Sequence, residues 1–148
     1  MTGDTWLQQL RQNGYRLTPA RRAVVQTMAA SPRAITPLEL YDTARGRHRA
    51  LGLVSVYRTL DKLEQLGLIQ RVHQPEGCQA FVSASRGHQH LLICRQCGRA
   101  AFFEGDDLQS LIRSIARRTG YAIGEHWLQL FGLCRDCQSG RGKGTHAH

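Results

Sequence analysis

The chain has 148 residues, of which 41% are hydrophobic, and a formal net charge of +9, with +6 of it in residues 1–75. No apolar run is long enough for a transmembrane helix and no secretory signal peptide is present, so we expect a cytoplasmic protein with no membrane partner. The five cysteines indicate metal or redox chemistry, since a reducing cytosol disfavours structural disulfides, and the basic N-terminal half suggests a nucleic-acid partner.

The N-terminal half has the pattern of four short helices followed by a β-hairpin. Thr18 and Thr36 each stand before a proline, as N-cap residues do, and predict the starts of the second and third helices. A fourth helix, with Ser55 as its N-cap and Gly67 at its end, is predicted in VSVYRTLDKLEQLGLI. Two apolar strands follow, LIQRV and CQAFV. This order predicts a winged helix-turn-helix domain, which we place at residues 1–83.

The second half is predicted to be a small α/β domain at residues 88–137, after a short polar hinge at residues 84–87. Its strands are predicted in HLLIC, AAFF and AIGEHWLQLFGLC, and its helix in DDLQSLIRSIARRTG. Residues 138–148 have no core-forming side chains and are predicted to be a disordered tail. The predicted fold class is therefore α+β, with a DNA-binding domain before a metal-binding one.

Two C-x-x-C pairs are the strongest chemical pattern in the sequence. They consist of Cys94, Cys97, Cys134 and Cys137. Two such pairs can surround one ion with four thiolates, and Zn²⁺ prefers this tetrahedral shell. A strand, a helix and a strand are predicted between the pairs, so the ion would join both ends of the small domain. We therefore predict a structural zinc site.

A thiol-disulfide oxidoreductase is the alternative use of these pairs, and it belongs to a different functional class. Arg95, Arg99 and Arg135 lie close enough in sequence to lower thiol pKa values. Against it, neither pair is predicted to open a helix after a strand, as redox pairs do. No nucleophile–base–acid set and no phosphate-binding glycine loop is present, so we predict that the protein is not an enzyme and has no small organic substrate.

The histidines and the fifth cysteine form a second candidate metal site. His88 and His90 alternate along a predicted strand, so both imidazoles point to one face. His73 and Cys78 flank the tip of the hairpin, and His126 lies on the last predicted strand. A shell of cysteine and histidine suits zinc, and suits Co²⁺ or Cu²⁺ less selectively.

The chain resembles the ferric uptake regulator family of bacterial repressors in the order of its motifs, namely RLTPAR, SVYRTLDKLEQLGLI, His-x-His, CRQCG and GLCRDC. The resemblance runs from Tyr15 to Cys137. Cys78 and the shortage of acidic ligands make it most similar to the zinc uptake regulator branch. The resemblance implies a homodimer on double-stranded operator DNA, joined through the second domain, with the four cysteines around structural zinc and a regulatory metal at the hinge.

Two ligand sets remain open for the regulatory metal. Many family members place histidines three and five residues before the first metal cysteine, where this chain has Leu91 and Gln89. The favoured set, which allows for a shifted loop, consists of His73, Cys78, His88 and His90. The alternative set consists of His88, His90 and His126, with Glu104 as a further ligand. The favoured set includes a thiolate and joins the wing of the DNA-binding domain to the second domain.

The resemblance also implies how DNA is contacted. Tyr57 and Arg58 begin the recognition helix, where an arginine can bind guanine and a tyrosine can touch a thymine methyl group. Phosphate contacts are expected from Arg16, Arg21, Arg22 and Lys62. We thus predict a zinc-responsive transcriptional regulator that binds its operator when zinc occupies the hinge site. An iron- or peroxide-responsive regulator of the same family, and a zinc-ribbon RNA-binding module, are the remaining alternatives.

Overall fold

A computed structural model of the chain describes residues 2–73, 77, 79–84, 89–105 and 108–141. The N-terminal domain begins with four helices: α1 (Gly3–Gln12), α2 (Pro19–Ala30), α3 (Pro37–Ala44) and α4 (Leu53–Gln65). Both proline-led helix starts are confirmed. The Thr18 hydroxyl accepts a hydrogen bond from the backbone N–H of Arg21 at 3.2 Å. Thr36 forms a reciprocal capping box with Glu39, which satisfies backbone N–H groups at the start of α3.

The wing is a two-stranded antiparallel hairpin of β1 (Ile69–His73) and β2 (Gln79–Ser83), with Ile69 opposite Ser83. It closes one core with the four helices. The buried side chains at the centre of that core include Leu10, Val24, Met28, Leu40, Val56, Leu60 and Leu63. The predicted inward face of α4 is therefore confirmed, and the domain is a winged helix-turn-helix.

The predicted N-cap of α4 is wrong. The helix begins at Leu53 with Gly52 as its N-cap, and the backbone N–H of Ser55 already donates to the Gly52 carbonyl at 3.1 Å. The carbonyl of Ser55 accepts a hydrogen bond from the Thr59 hydroxyl at 2.7 Å. Ser55 therefore lies inside the first turn of α4, because the backbone is already helical at Leu53, before the chain reaches this polar side chain.

The second domain has a three-stranded sheet with the order β4-β3-β5. Its strands are β3 (Gln89–Cys94), β4 (Ala100–Glu104) and β5 (Gln129–Gly132), and its helices are α5 (Leu108–Thr119) and the one-turn α6 (Arg135–Gln138). The central strand β3 is antiparallel to β4 and parallel to β5, with Leu91 paired to Gln129. The predicted strands HLLIC and AAFF and the predicted helix are confirmed.

The last predicted strand is much shorter than expected. Residues 120–128 have no regular secondary structure, so His126 precedes β5 rather than lying on it. Tyr121 and Trp127 in this segment are each 75% exposed. The apolar pattern that predicted a strand therefore belongs to a surface that one chain alone does not cover.

Helix α5 also carries apolar side chains that the other described residues do not cover. None of its side chains is buried within the described part of the chain, although Leu108, Leu111, Ile112 and Ile115 lie along one face. Such an apolar stripe normally packs against another element. Among the described residues, no helix combines the length and the apolar character that spanning a membrane requires.

The two domains are packed against each other through the wing. Val72, Ala80 and Val82 of the hairpin form one buried cluster with Leu91 and Ile93 of β3. Backbone contacts also join the two domains, because the loop before α3 bonds both to β2 of the wing and to the turn after β3. In that loop Ile35 bridges to Phe81 of β2, and the N–H of Ala34 donates to the Gly98 carbonyl at 2.8 Å.

Candidate metal centres and DNA-binding surface

The four cysteines converge on one point, as predicted from their spacing. Their sulfur atoms all lie within 4.8 Å of one another, and the Sγ atoms of Cys97 and Cys134 are 3.7 Å apart. A tetrahedral shell with zinc–sulfur bonds of 2.3 Å has edges of about 3.8 Å, so the donor set fits zinc. Among the described residues, this is the one group of three or more metal-ligating side chains that meets so closely.

The local backbone explains how the two pairs meet. Cys94 ends β3, and the turn after it closes with the N–H of Gly98 donating to the Cys94 carbonyl at 2.9 Å. Gly98 has φ +73°, a left-handed conformation that favours glycine, and its turn brings Cys97 back toward Cys94. The N–H of Cys134 donates to the Cys94 sulfur at 3.3 Å, which joins the second pair to the first.

The thiols at this centre ionise unequally. Burial raises the pKa of Cys94, but hydrogen bonds from the backbone N–H groups of Cys134, Cys97 and Gln96 outweigh burial and lower it to about 6. Burial, followed by hydrogen bonds with the other thiols, raises the pKa of Cys137 to about 12. Four adjacent thiolates repel one another, so a divalent cation is what would allow all four to lose their protons.

The second C-x-x-C pair differs from its prediction. Cys134 is the N-cap of α6 and follows β5, so the second pair does open a short helix after a strand. The sequence did not predict α6 because a single turn has no apolar periodicity. What favours a metal is instead the convergence of both pairs. An ion pair between Arg99 and Asp136, at 2.8 Å, also joins the two turns that carry them.

His90 is the best-placed histidine for a second centre. Its side chain is 5% exposed, and its ring lies 5.4 Å from that of Phe103 and 5.5 Å from that of His126, centroid to centroid. Leu91 and Ile93 face the wing, so strand alternation places His90 on the opposite face of the sheet. The structure thus brings together two members of the alternative ligand set.

The other predicted ligands lie elsewhere. His73 is exposed at the end of β1, on the wing. Glu104 pairs with Gln89, whose Nε2 donates to its carboxylate at 3.4 Å, on the sheet face away from the His90 ring. Cys78 and His88 lie outside the described residues. The arrangement therefore favours the ligand set that contains His126 over the set that contains His73 and Cys78. Both sets stay predictions.

Gln129, which the sequence did not single out, joins the two domains three residues after His126. Its side-chain Nε2 donates to the Arg71 carbonyl at 2.9 Å, and its Oε1 accepts from the His73 backbone N–H at 3.0 Å. The side-chain amide of Gln129 thus bonds to one N–H and one carbonyl of the β1 backbone. No sequence pattern marks a glutamine for this role, since the contact depends on how the wing meets the sheet.

The predicted DNA-contacting residues lie on two elements of the N-terminal domain. Tyr57 is 49% exposed, and Arg58 beside it on α4 is also exposed. Arg16 and Arg22 are exposed near the start of α2. Two predicted phosphate contacts are more restrained. Arg21 donates a side-chain hydrogen bond to the Arg16 carbonyl, and the Lys62 ammonium lies 4.9 Å from the centre of the Tyr15 ring.

A winged helix joined to a small α/β domain with a four-cysteine cluster that can hold a metal ion defines a class of metal-carrying DNA-binding proteins. The sequence matches the model of the Ferric uptake regulator family over residues 12–131. The chain belongs to this family. Its members are metal-responsive, dimeric transcriptional regulators that bind operator DNA and are not enzymes. This chain is a metal-responsive transcriptional regulator.

Relatives within the family respond to different signals. The chain is 33% identical over 131 residues to the ferric uptake regulation protein of Cupriavidus metallidurans, covering 86% of this chain and 92% of that protein. It is 27% identical over 129 residues to a peroxide-responsive repressor of Staphylococcus saprophyticus, covering 87% and 86%. A solved zinc uptake regulator complexed with zinc and DNA is 26% identical, with a TM-score of 0.69 over 94% of this chain and 97% of that one.

Proposed function

We propose that the chain is a zinc-responsive regulator that binds operator DNA as a homodimer in the cytoplasm, as a repressor, when zinc occupies a site containing His90. The observation that supports this most is the contact between the buried His90 ring and His126, three residues before Gln129. Imidazole nitrogens suit zinc better than they suit hard, oxygen-preferring cations. The similarity to a zinc uptake regulator complexed with zinc and DNA agrees with this choice.

The regulatory ligands in this proposal are His88, His90 and His126. A metal bound there would fix the segment that leads into β5, and Gln129 at the start of β5 binds the backbone of the wing. Metal binding and wing position would then be coupled through Gln129. A metal shifts the population only as far as it binds the DNA-competent arrangement more tightly. Changing a 1:99 mixture to 99:1 requires a preference of about 5.5 kcal/mol.

The homodimer is supported by apolar surface that one chain leaves uncovered. Leu111 on α5, Tyr121 and Trp127 after it, and Leu130 on β5 are all exposed. An exposed apolar patch of this kind marks an interaction surface, and a second copy of the chain in two-fold symmetry would cover it. Two winged helices would then face one duplex with a fixed separation.

The four-cysteine site is proposed to hold a second, structural zinc that does not exchange during regulation. It lies beside the DNA-binding domain, since the Gly98 carbonyl in its first turn accepts a hydrogen bond from the N–H of Ala34 in the loop before α3. Zinc there would hold β3 and β5 together at the ends where Cys94 and Gly132 pair. It would supply stability, whereas the His90 site would supply the response.

A buffered metal titration tests the proposal. DNA binding by the full-length chain is followed by fluorescence anisotropy at controlled free Zn²⁺, Fe²⁺ and Mn²⁺, with metal stoichiometry measured on the same samples. We expect about two Zn²⁺ per chain in the DNA-bound form, and DNA binding at far lower free Zn²⁺ than free Fe²⁺. Tight DNA binding with Fe²⁺, abolished by peroxide, would instead support the iron- or peroxide-responsive alternative that two of the relatives suggest.

A further inference from the structure

The turn between α3 and α4 is strongly basic and has no part in the contacts described above. Four of its five residues at positions 45–49 are basic, namely Arg45, Arg47, His48 and Arg49. We call these residues the basic turn. All three arginines are exposed, and neither of the two ion pairs in the described part of the chain includes them. The positive charge of the basic turn is therefore directed to solvent.

The backbone of the basic turn is well held. The N–H groups of Arg47 and His48 both donate to the Ala44 carbonyl, at 2.9 and 3.2 Å. The His48 carbonyl accepts from the N–H of Leu51 at 3.1 Å, and the Leu51 side chain is buried in the core. Arg45 also lies over the Tyr41 ring, 5.3 Å from its centre. The arginines thus project from a fixed backbone, which lowers the entropy lost when they bind a partner.

The position of the basic turn indicates what that partner is. It comes directly before α4, whose first turn exposes Val54 at 64% and whose outer face carries Tyr57 and Arg58. In helix-turn-helix proteins the start of the recognition helix enters the major groove, so the preceding turn lies beside the sugar-phosphate backbone at the groove edge. Guanidinium groups match phosphate oxygens in a two-point geometry.

We propose that Arg47 and Arg49 of the basic turn bind backbone phosphates flanking the bases read by α4, and so strengthen the binding of the domain to any duplex. This inference rests on the proposed function, in which α4 meets operator DNA. The contacts are independent of sequence, so they raise affinity for every duplex and carry no base preference. They add two phosphate contacts for each subunit to those expected from Arg16 and Arg22.

The double variant Arg47→Gln/Arg49→Gln tests the proposal in the full-length, zinc-loaded protein. The probes are a random-sequence duplex and a duplex obtained by in vitro selection with the unmodified chain, each titrated from 50 to 200 mM salt. Each phosphate contact makes the affinity fall by about 3.5-fold over that fourfold range of salt. The variant lacks four phosphate contacts per dimer. Its affinity for DNA therefore falls about 150-fold less over that range of salt than the affinity of the unmodified chain. The ratio between the two probes stays the same.

A matched control removes the same charge elsewhere. Arg117→Gln/Arg118→Gln, in the last turn of α5, leaves the salt dependence unchanged if the effect is local. Equal changes in both double variants, or no change in the basic-turn variant, overturn the proposal. If Arg58→Ala loses base preference while the basic-turn variant keeps its salt dependence, only this proposal fails. If the unmodified chain binds neither duplex with any metal, the proposed function fails with it.

Discussion

The backbone N–H of His73 on the wing donates to the side-chain Oε1 of Gln129 on β5 at 3.0 Å, across 56 positions of sequence. The other end of the same amide donates to the Arg71 carbonyl. A single side chain thus holds two backbone groups of β1 against the edge of the second domain. Since His126 lies three residues earlier, a metal bound by His126 and His90, as proposed, would act on the segment that carries this link.

Replacing Gln129 should therefore uncouple the wing from the metal. Gln129→Met keeps the size of the side chain and removes both hydrogen bonds, each worth about 0.5–1.5 kcal/mol. We expect a folded, metal-binding dimer whose zinc-dependent gain in DNA affinity falls by roughly tenfold. Amide hydrogen exchange should become faster at Arg71–His73. Unchanged zinc dependence in Gln129→Met would show that the wing is positioned by other contacts.

Removing one thiolate should affect stability rather than sensing. Cys97→Ser leaves three cysteines at the structural site, so the ion that resists mild chelation should be lost and dimer dissociation should occur at lower temperature. Metal analysis after dialysis against a weak chelator, together with thermal unfolding, measures both effects. Cys78→Ser is the matched control, since it also exchanges a thiol for a hydroxyl but should keep the tightly held ion. Full retention of that ion in Cys97→Ser would contradict the four-cysteine site.

The two regulatory ligand sets differ in what His126 and His73 should do. His90→Ala removes a ligand common to both sets and should lower affinity for the exchangeable zinc by at least 10- to 100-fold. His126→Ala should do the same if the alternative set is correct, while His73→Ala should leave zinc affinity unchanged. Competition titrations with a zinc-binding dye measure each affinity. The reverse pattern, with His73→Ala deficient and His126→Ala normal, would favour the set that includes Cys78.

Base reading and phosphate binding should separate in the N-terminal domain. Arg58→Ala should reduce discrimination between a selected duplex and one with a changed guanine by about 1–3 kcal/mol. Arg22 is exposed near the start of α2, so Arg22→Ala should weaken binding to both duplexes by the same factor. Anisotropy titrations of each variant with both duplexes measure the two effects. Equal losses on both duplexes for Arg58→Ala would assign Arg58 to phosphate as well.

The sequence predicted those features that depend on neighbouring residues. A threonine before a proline marks a helix start because both act on the same first turn, and Thr18 and Thr36 are both N-caps in the structure. The four cysteines were predicted because two short pairs can each present both sulfurs to one ion. Residue type alone predicts Ser55 as a cap, whereas α4 begins at Leu53.

Features that depend on how distant elements pack were not predictable in this way. The apolar pattern before β5 indicated a strand, but a strand needs a neighbour, and only Gln129–Gly132 pairs with β3. The same pattern fits an interface with a second chain equally well. The amide of Gln129 joins residues that are tens of positions apart and carries no local signal. His90 and His126 are placed in one ligand set by the resemblance to the family, not by any local pattern.

In the proposed function, an exchangeable zinc distinct from the structural one controls DNA binding. The most direct measurement is DNA affinity of protein treated with a mild chelator until one tightly held zinc per chain remains, before and after zinc is restored. We predict weak, sequence-independent binding before and tight binding to a selected duplex after, with no such recovery in His90→Ala. Equally tight binding to that duplex without the exchangeable zinc would show that this zinc does not control DNA binding.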